Sequence, residues 1–300
     1  MHVKTRKLAI IEGVTAGTLF GTSAIFIRYL QNFDAFSIAF WRLTIAGIVL
    51  AVMLFGIKRV FSFNLIKKNL RNLFVLSFFL GLHFIFFISA VKDTTILNAT
   101  VLVNTAPIFS LVLSVFLYKA KPSSFAILGI TLAFIGVCVI AYAETQTAGA
   151  SLKDFSPRLK GDLKATLAAV LEALFLTYGR KIRGRMDIIS IMLPIYFLTA
   201  IIVGVLGLAV TNKTLELPTT MESLLPLVGL GILPTAVART LAFSSLSSLK
   251  SFETATMALL EPLGATALGI VLFGEWPIPI FAVGTALILA GIVFVSKGES

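Results

Sequence analysis

Charge, histidine and cysteine are all scarce in this 300-residue chain. Asp, Glu, Lys and Arg together make up 13% of it, against about a quarter in a soluble globular domain. Hydrophobic residues make up 58% and the mean hydropathy is +1.00. A water-soluble fold of that composition would have nowhere to place its apolar surface, so the chain reads as an integral membrane protein. The single cysteine, Cys138, excludes an intrachain disulfide. Only two histidines are present, His2 and His83, with no HExxH and no paired acidic motif, so neither a metal nor another cofactor is expected. The absence of a Walker sequence removes ATP as a direct driver, and the absence of Gly-x-Ser-x-Gly argues against a serine hydrolase. The net charge of +11 does not point to nucleic acid. The basic residues sit in short loops between apolar runs, where they set membrane orientation rather than form a phosphate-binding face.

What the chain does have is long apolar runs. Runs of roughly 20 residues, enough to cross about 30 Å of hydrocarbon, fall at 8–30, 36–57, 70–91, 97–118 and 123–143. They resume at 161–181, 188–210, 223–246, 252–273 and 278–296. The expected architecture is therefore all-α, with ten transmembrane helices in two halves, 1–144 and 161–300. The polar stretch 145–160 is the linker between them. The opening MHVKTRK followed by an apolar run superficially resembles a signal peptide. The run is longer than the core of such a peptide, about 7–15 residues, so it reads as a retained first helix.

The two halves are related. Leu97–Glu144, moved forward by 155 positions, lands on Phe252–Glu299. Pro107 then falls on Pro262, Pro122 on Pro277, Gly129 on Gly284 and Gly136 on Gly291. Proline and glycine act on the backbone itself, so their coincidence at one offset marks a duplication. With the N-terminus inside, Lys4, Arg6, Lys7, Lys58, Arg59, Lys67, Lys68, Arg71, Lys119, Lys121, Arg180, Lys181, Arg183, Arg185, Lys250 and Lys297 face the cytoplasm. The outer side holds fewer basic residues: Arg28, Lys92, Lys153, Arg158, Lys160, Lys164 and Lys213. Both termini are thus expected in the cytoplasm of a multi-pass protein of the cell membrane. Five spans is an odd number, so the second half enters the bilayer inverted. Lys119-Ala-Lys121 faces in, while its counterpart Gly274-Glu275-Trp276 has lost both lysines and faces out. Inverted repeats are characteristic of secondary transporters that bind substrate near the midplane.

Small residues suggest how the helices pack. Gly13, Gly17 and Gly21 form a stripe on the first span. Gly129 and Gly136, with Gly284 and Gly291, mark spans five and ten as a scaffold or as the surface of a homodimer, and Pro107 and Pro262 read as helix-packing residues of spans four and nine. Gly229, Gly231 and Pro234 loosen span eight, as a broken helix or a proline kink.

An ionisable residue inside a bilayer costs on the order of 2.5–3.5 kcal/mol on insertion scales and needs a partner or a cavity. Arg42 either meets an anionic substrate group through its planar fork of donors or anchors the fold. His83 and Asn104 either bind a ligand or make interhelical hydrogen bonds, and His83 can also relay protons. Glu172, Arg239 and Glu261 form the central constellation. The two acids lie near mid-depth with Arg239 somewhat below, and one arginine against two carboxylates leaves a carboxylate free for a cationic group or a coupled proton; the alternative is a single buried ion pair that only fixes the fold. Glu12 reads as a gate or interface residue near the cytoplasmic end. Trp41 and Phe20 read as lipid-facing or packing aromatics.

Several stretches carry a family resemblance. They are LFGTSAIFIRYL, WRLTIAGIVL with Arg42, GLHFIFFISAVKDTTILNATVLVNTAPIF and IGVCVIAY in the first half. The second half contributes TAVARTLAFSSLSSLKSFETATMALLEPLGA, FGEWP and GTALILAGIVF. In order and spacing the chain resembles the drug/metabolite transporter superfamily, in its EamA-like group of ten-helix carriers. The resemblance implies a central cavity formed by spans one, three, four, six, eight and nine, with the others supporting or gating. It also implies export or exchange of small metabolites, often amino acids or their relatives. The sequence departs from the group at Arg239, where an aromatic residue is common, and at Glu172, usually uncharged. The expected partners are a small-molecule substrate and membrane lipid. The competing readings are a carrier of anionic or phosphorylated metabolites and an intramembrane transferase.

Overall fold

The computed structural model describes residues 5–56, 63–94, 96–147, 159–184, 186–211, 214–274 and 276–298. Most of the expected linker, at 148–158, lies outside the described residues. So do His2, Lys4, Lys58, Arg59, Lys153, Arg158, Arg185, Lys213 and Glu275, and the side chains of Arg28 and Lys92. Among the described residues the chain is all-helical. The first half holds α1 (Arg6–Phe20), α2 (Thr22–Arg28), α3 (Ala35–Gly56), α4 (Phe63–Asp93), α5 (Ile96–Val103), α6 (Ala106–Tyr118) and α7 (Ser124–Thr147). The second holds α8 (Leu159–Arg183), α9 (Ile188–Thr211), α10 (Met221–Leu230), a π-helical segment (Gly231–Arg239), α11 (Thr240–Ser245), α12 (Ser251–Ala258), α13 (Glu261–Phe273) and α14 (Ile280–Gly298). Nine segments among the described residues are long and apolar enough to cross a membrane, counting each interrupted helix as one. The 25-residue α8 is as long but carries Asp162, Lys164, Glu172, Arg180 and Lys181, and it falls short of the others in apolar character.

Prolines mark several of the breaks in the apolar runs, though Pro194 and Pro226 lie inside α9 and α10 without ending them. A proline ring displaces the carbonyl four residues before it and offers that carbonyl no amide. Helix α5 ends at Val103, four residues before Pro107, and α12 ends at Ala258, four before Pro262. Each proline then sits in the first turn of the next half-helix, α6 or α13, where its missing N–H costs nothing. The expected continuous spans 97–118 and 252–273 are therefore each two half-helices, hinged at Asn104–Thr105 and at Leu259–Leu260. The half-helices also stop alike, on left-handed residues at matching positions: Lys119 with φ 51° and Gly274 with φ 67°.

In span eight the outcome is neither a broken helix nor a simple kink. Helix α10 ends at Leu230, four residues before Pro234, and the chain continues as nine residues of π-helix. The orphaned Leu230 carbonyl accepts from the Thr235 hydroxyl at 2.6 Å. The first span, too, is two helices, separated by a turn at Gly21.

Glycine faces bring backbones into contact. A Cβ on Gly129 would sit 2.5 Å from the Gly291 carbonyl oxygen, and one on Gly291 would sit 2.4 Å from that of Gly129. Gly136 and Gly284 face each other in the same reciprocal way. The glycine faces of α7 and α14 are thus occupied by each other within one chain. On α1, a Cβ at Gly17 would lie 1.9 Å from the Met257 carbonyl oxygen and one at Gly21 would lie 2.3 Å from the Ala265 amide nitrogen, so this stripe packs on α12 and α13. The largest buried cluster joins α3, α4, α8, α9 and α10, with Leu43, Leu76, Phe175, Val203 and Leu227 among its fully buried members. Large apolar side chains such as Phe116 and Val271, 79% and 78% exposed, point outward, where lipid replaces water as their solvent.

The helix contacts repeat when the halves are exchanged. Helix α3 packs on the π-helical segment as α9 packs on α4, and α8 packs on α4, α5 and α6 as α1 packs on α11, α12 and α13. One set has no counterpart of similar extent. Helix α12 packs closely on α6 and α8, whereas α5 does not pack comparably on α13 or α1.

Candidate functional site

The breaks converge on one small cavity of about 70 Å³. Its wall includes Phe20 and Ser23 from the first span, Arg42 from α3, and His83, Phe84 and Phe87 from α4. Both half-helix junctions reach it, through Asn104 and Pro107 on one side and Leu259 and Glu261 on the other. Glu172 from α8 and Arg239 from the end of the π-helical segment complete its charged lining. All six residues singled out for binding or coupling, Arg42, His83, Asn104, Glu172, Arg239 and Glu261, therefore line one space. Ligand pockets for drug-sized molecules run to about 300–1,000 Å³, so this conformation holds the centre nearly closed.

Arg239 and Glu172 form an ion pair between the Arg239 Nη1 and Glu172 Oε1 atoms. Arg239 is 6% exposed, and its Nε has no hydrogen-bond partner. Its guanidinium lies over the rings of Phe20 at 5.1 Å and Phe84 at 5.2 Å. Phe20 thus lines the cavity rather than facing lipid. The second oxygen of Glu172, Oε2, is buried without a hydrogen bond and lies 3.6 Å from His83 Nε2. On the far side of that ring, His83 Nδ1 lies 2.9 Å from the Ala168 carbonyl oxygen.

Arg42, 3% exposed, is held differently. Its Nε donates to the Thr235 hydroxyl at 3.0 Å, and its guanidinium lies over the Phe84 ring, also beneath Arg239, at 4.2 Å. Phe84 therefore serves both arginines, its ring face offsetting part of their positive charge. Among the described residues neither Arg42 nor Glu261 makes an ion pair, and Glu261 makes no hydrogen bond through its carboxylate. Asn104 donates through Nδ2 to the Thr100 carbonyl at 2.9 Å.

Glu12 is not part of this cavity. It is half-buried on α1, within electrostatic reach of Arg183, which donates to the Met186 carbonyl at 3.1 Å and to the Ser244 hydroxyl at 3.4 Å. At the same end of the bundle lies a ladder of buried hydroxyls. Ser251 on α12 meets Ser114 on α6 at 2.9 Å and Thr177 on α8 at 3.0 Å. Arg6 on α1 pairs with the fully buried Glu253 on α12. At the opposite end, Trp41 Nε1 donates to the Glu216 carbonyl at 2.8 Å, and Lys164 pairs with Asp93.

Sequence reasoning did not single out Thr235 or Tyr196. Tyr196, fully buried on α9, donates to the Thr235 carbonyl at 2.7 Å and meets the Thr240 hydroxyl at 3.0 Å, so it braces the π-helical segment that carries the Arg42 contact. The available signal was Pro234 inside an apolar run. Asking which group satisfies the carbonyl it orphans leads to the hydroxyl next to it.

The EamA-like transporter family matches this chain twice, at residues 7–142 and 159–297. The Bacillus subtilis (strain 168) protein named "Uncharacterized transporter YxxF" is 23% identical over 293 residues, covering 96% of this chain and 89% of its own. "Uncharacterized transporter YdfC" of the same organism is 27% identical over 303 residues, with 98% and 92% covered. An "Uncharacterized transporter" of Archaeoglobus fulgidus is 26% identical over 282 residues, with 93% of each chain covered. A solved structure titled "Crystal structure of protein" superposes with a TM-score of 0.83 over 97% of this chain and 96% of its own. At 21% identity that likeness speaks for the fold alone.

Proposed function

Because the chain belongs to the EamA-like transporter family and is a multi-pass membrane transporter of a small-molecule substrate, we propose that it carries a small zwitterionic metabolite, an amino acid or a close relative. The observation behind this is the pair of unmatched opposite charges in one cavity. Arg42 faces it without an ion-paired carboxylate, and Glu261 faces it without an ion-paired cation. Unpaired charge in a low-dielectric interior is costly, and a ligand with a carboxylate at one end and an ammonium at the other relieves both costs at once. The guanidinium fork suits the carboxylate, and Glu261 suits the ammonium.

A carrier of anionic or phosphorylated metabolites is the second reading, favoured by two guanidinium groups on one cavity. Glu172 already neutralises one of them, which leaves one free pole of each sign. A dianion would use Arg42 but would be repelled by Glu261.

In this reading α8 also crosses the membrane and completes the ten spans, and the halves are inverted repeats, with both termini in the cytoplasm of a cell-membrane exporter or exchanger. The exchange of helix contacts between halves supports that symmetry. The one asymmetry supports an assignment of state. The end sealed by α12, α6 and α8 is the cytoplasmic one, so the protein is held closed inward and the alternate state would pack α5 on α13 and α1 instead.

Counterflow in proteoliposomes tests the substrate class, with a labelled mixture of the twenty standard amino acids as the probe. Wild-type protein should exchange label, and Glu261→Gln and Arg42→Lys should each lose about tenfold or more in apparent affinity. Exchange unaffected by both substitutions overturns the assignment. Tighter binding of anions by Glu261→Gln, with no amino-acid exchange, selects the second reading, and chemical turnover without vectorial movement selects an enzyme.

A further inference from the structure

His83 and Glu172 face each other in a way that neither the ion pair nor the zwitterion poles explain. The Ala168 carbonyl can only accept, so the His83 Nδ1 beside it at 2.9 Å must be the ring nitrogen that carries hydrogen. In the neutral ring Nε2 is then a bare lone pair. It points at Glu172 Oε2, a carboxylate oxygen that is itself buried and without a hydrogen bond, 3.6 Å away. Two acceptors thus face one another. We propose that this pair is a binding site for a single proton and that it links transport to pH, separately from the Arg42 and Glu261 poles.

The chemistry balances simply. One proton adds to the Nε2 lone pair, no other bond breaks, and the facing acceptors become a donor and an acceptor joined by a charge-assisted hydrogen bond. Three charged groups surround the dyad. From the π-helical segment, Arg239 holds the other oxygen of Glu172. Arg42 on α3 adds a second positive field, while Glu261 on α13 lines the same cavity. Phe87 stacks on the imidazole with the planes 4° apart and the centroids 6.2 Å apart, and Phe84 covers another side at 5.3 Å, which fixes the ring in this orientation. A proton at the dyad offsets part of the Glu172 charge and weakens its hold on Arg239. The guanidinium is then available to a substrate carboxylate, so proton and substrate favour each other's binding, and by linkage each does so to the same extent.

This step rests on the transport reading, but its first test does not. The chain has two histidines, so His2→Ala leaves His83 alone, and ¹⁵N-histidine labelling then gives one pair of ring signals in lipid nanodiscs. At high pH the ring should carry hydrogen on Nδ1 only, and on acidification it should gain one at Nε2. In Glu172→Gln the proton should be held about tenfold more weakly, since an opposite charge at this range commonly changes a titration by a unit or more. Hydrogen on Nε2 at high pH, or an unchanged titration in a folded Glu172→Gln protein, overturns the proposal. The tautomer measurement needs no Glu172 variant, so it decides even if that variant fails to fold. In proteoliposomes at equal pH on both faces, apparent affinity for the amino-acid mixture should rise about tenfold as His83 takes up its proton, and His83→Asn should abolish that dependence. A pH-dependent affinity that survives His83→Asn also overturns the proposal. Absent exchange in the wild type would instead count against the zwitterion reading and leave the spectroscopic result standing.

Discussion

Arg42 Nε donates to the Thr235 hydroxyl at 3.0 Å, and that hydroxyl donates in turn to the Leu230 carbonyl at 2.6 Å. The group that repairs the helix interrupted by Pro234 is thus also the group that aims a cavity guanidinium. A local backbone defect on one helix fixes the direction of a charge on another.

Thr235→Val removes both hydrogen bonds while nearly keeping the shape. It should weaken substrate binding about fivefold to tenfold and lower the melting temperature, since each buried hydrogen bond contributes roughly 0.5–1.5 kcal/mol. Thr235→Ser should restore both. Counterflow KM and thermal unfolding in detergent check this; a loss that Ser fails to rescue would assign Thr235 to packing alone.

The 2.9 Å contact between the Ser114 and Ser251 hydroxyls joins α6 to α12 at the sealed end. Ser114→Cys with Ser251→Cys, in a Cys138→Ala background, should form a disulfide on mild oxidation, because the side chains already meet within the reach of such a bond. Exchange should stop and should return on reduction. Continued exchange with the disulfide intact would show that this end does not open during transport.

Gly136 and Gly291 keep α7 and α14 at backbone contact, where an added Cβ would lie 2.7 Å and 2.4 Å from a facing carbonyl oxygen. Gly136→Leu should lower stability by about 1–3 kcal/mol or more, the usual cost of overpacking. Gly56→Leu is the control, since nothing lies within 4 Å of a Cβ there. Unfolding temperatures in the same detergent separate the two.

Asp93, beyond the apolar part of α4, is held below the usual carboxylate range chiefly by its hydrogen bond from Lys164, with Lys160 3.9 Å away. A depressed carboxylate contributes stability above its unfolded value, near 3.8, and loses that contribution as pH falls through its folded value. The small difference in melting temperature between wild type and Asp93→Asn should therefore be level from pH 7 down to about 4 and vanish below it. A difference that persists at lower pH would give Asp93 a role other than its charge.

Much of this protein was legible in one dimension. Lipid demands long apolar helices with every backbone group paired internally, so composition and run length announced a membrane bundle. Ionisable residues deep in those runs, among them Arg42, His83, Glu172, Arg239 and Glu261, stood out against that background, because an inserted charge needs a destination. The duplicated Pro107 and Pro262 were visible as well, but reading them as packing residues missed that each ends a half-helix four residues upstream, opening the cavity wall at Asn104 and Leu259.

What only tertiary structure decided is which charge meets which. Glu172 takes Arg239 while Glu261 and Arg42 stay unmatched, and Phe84 is shared between two guanidinium groups. Nothing in the order of residues selects among these pairings. They depend on the rotation and depth of the helices that carry them, which the glycine contacts of α1 with α12 and α13, and the π-helical turn after Leu230, help to set. Hydrophobicity drives the chain into the bilayer without direction, whereas hydrogen bonds and ion pairs are resolved only at contact distance.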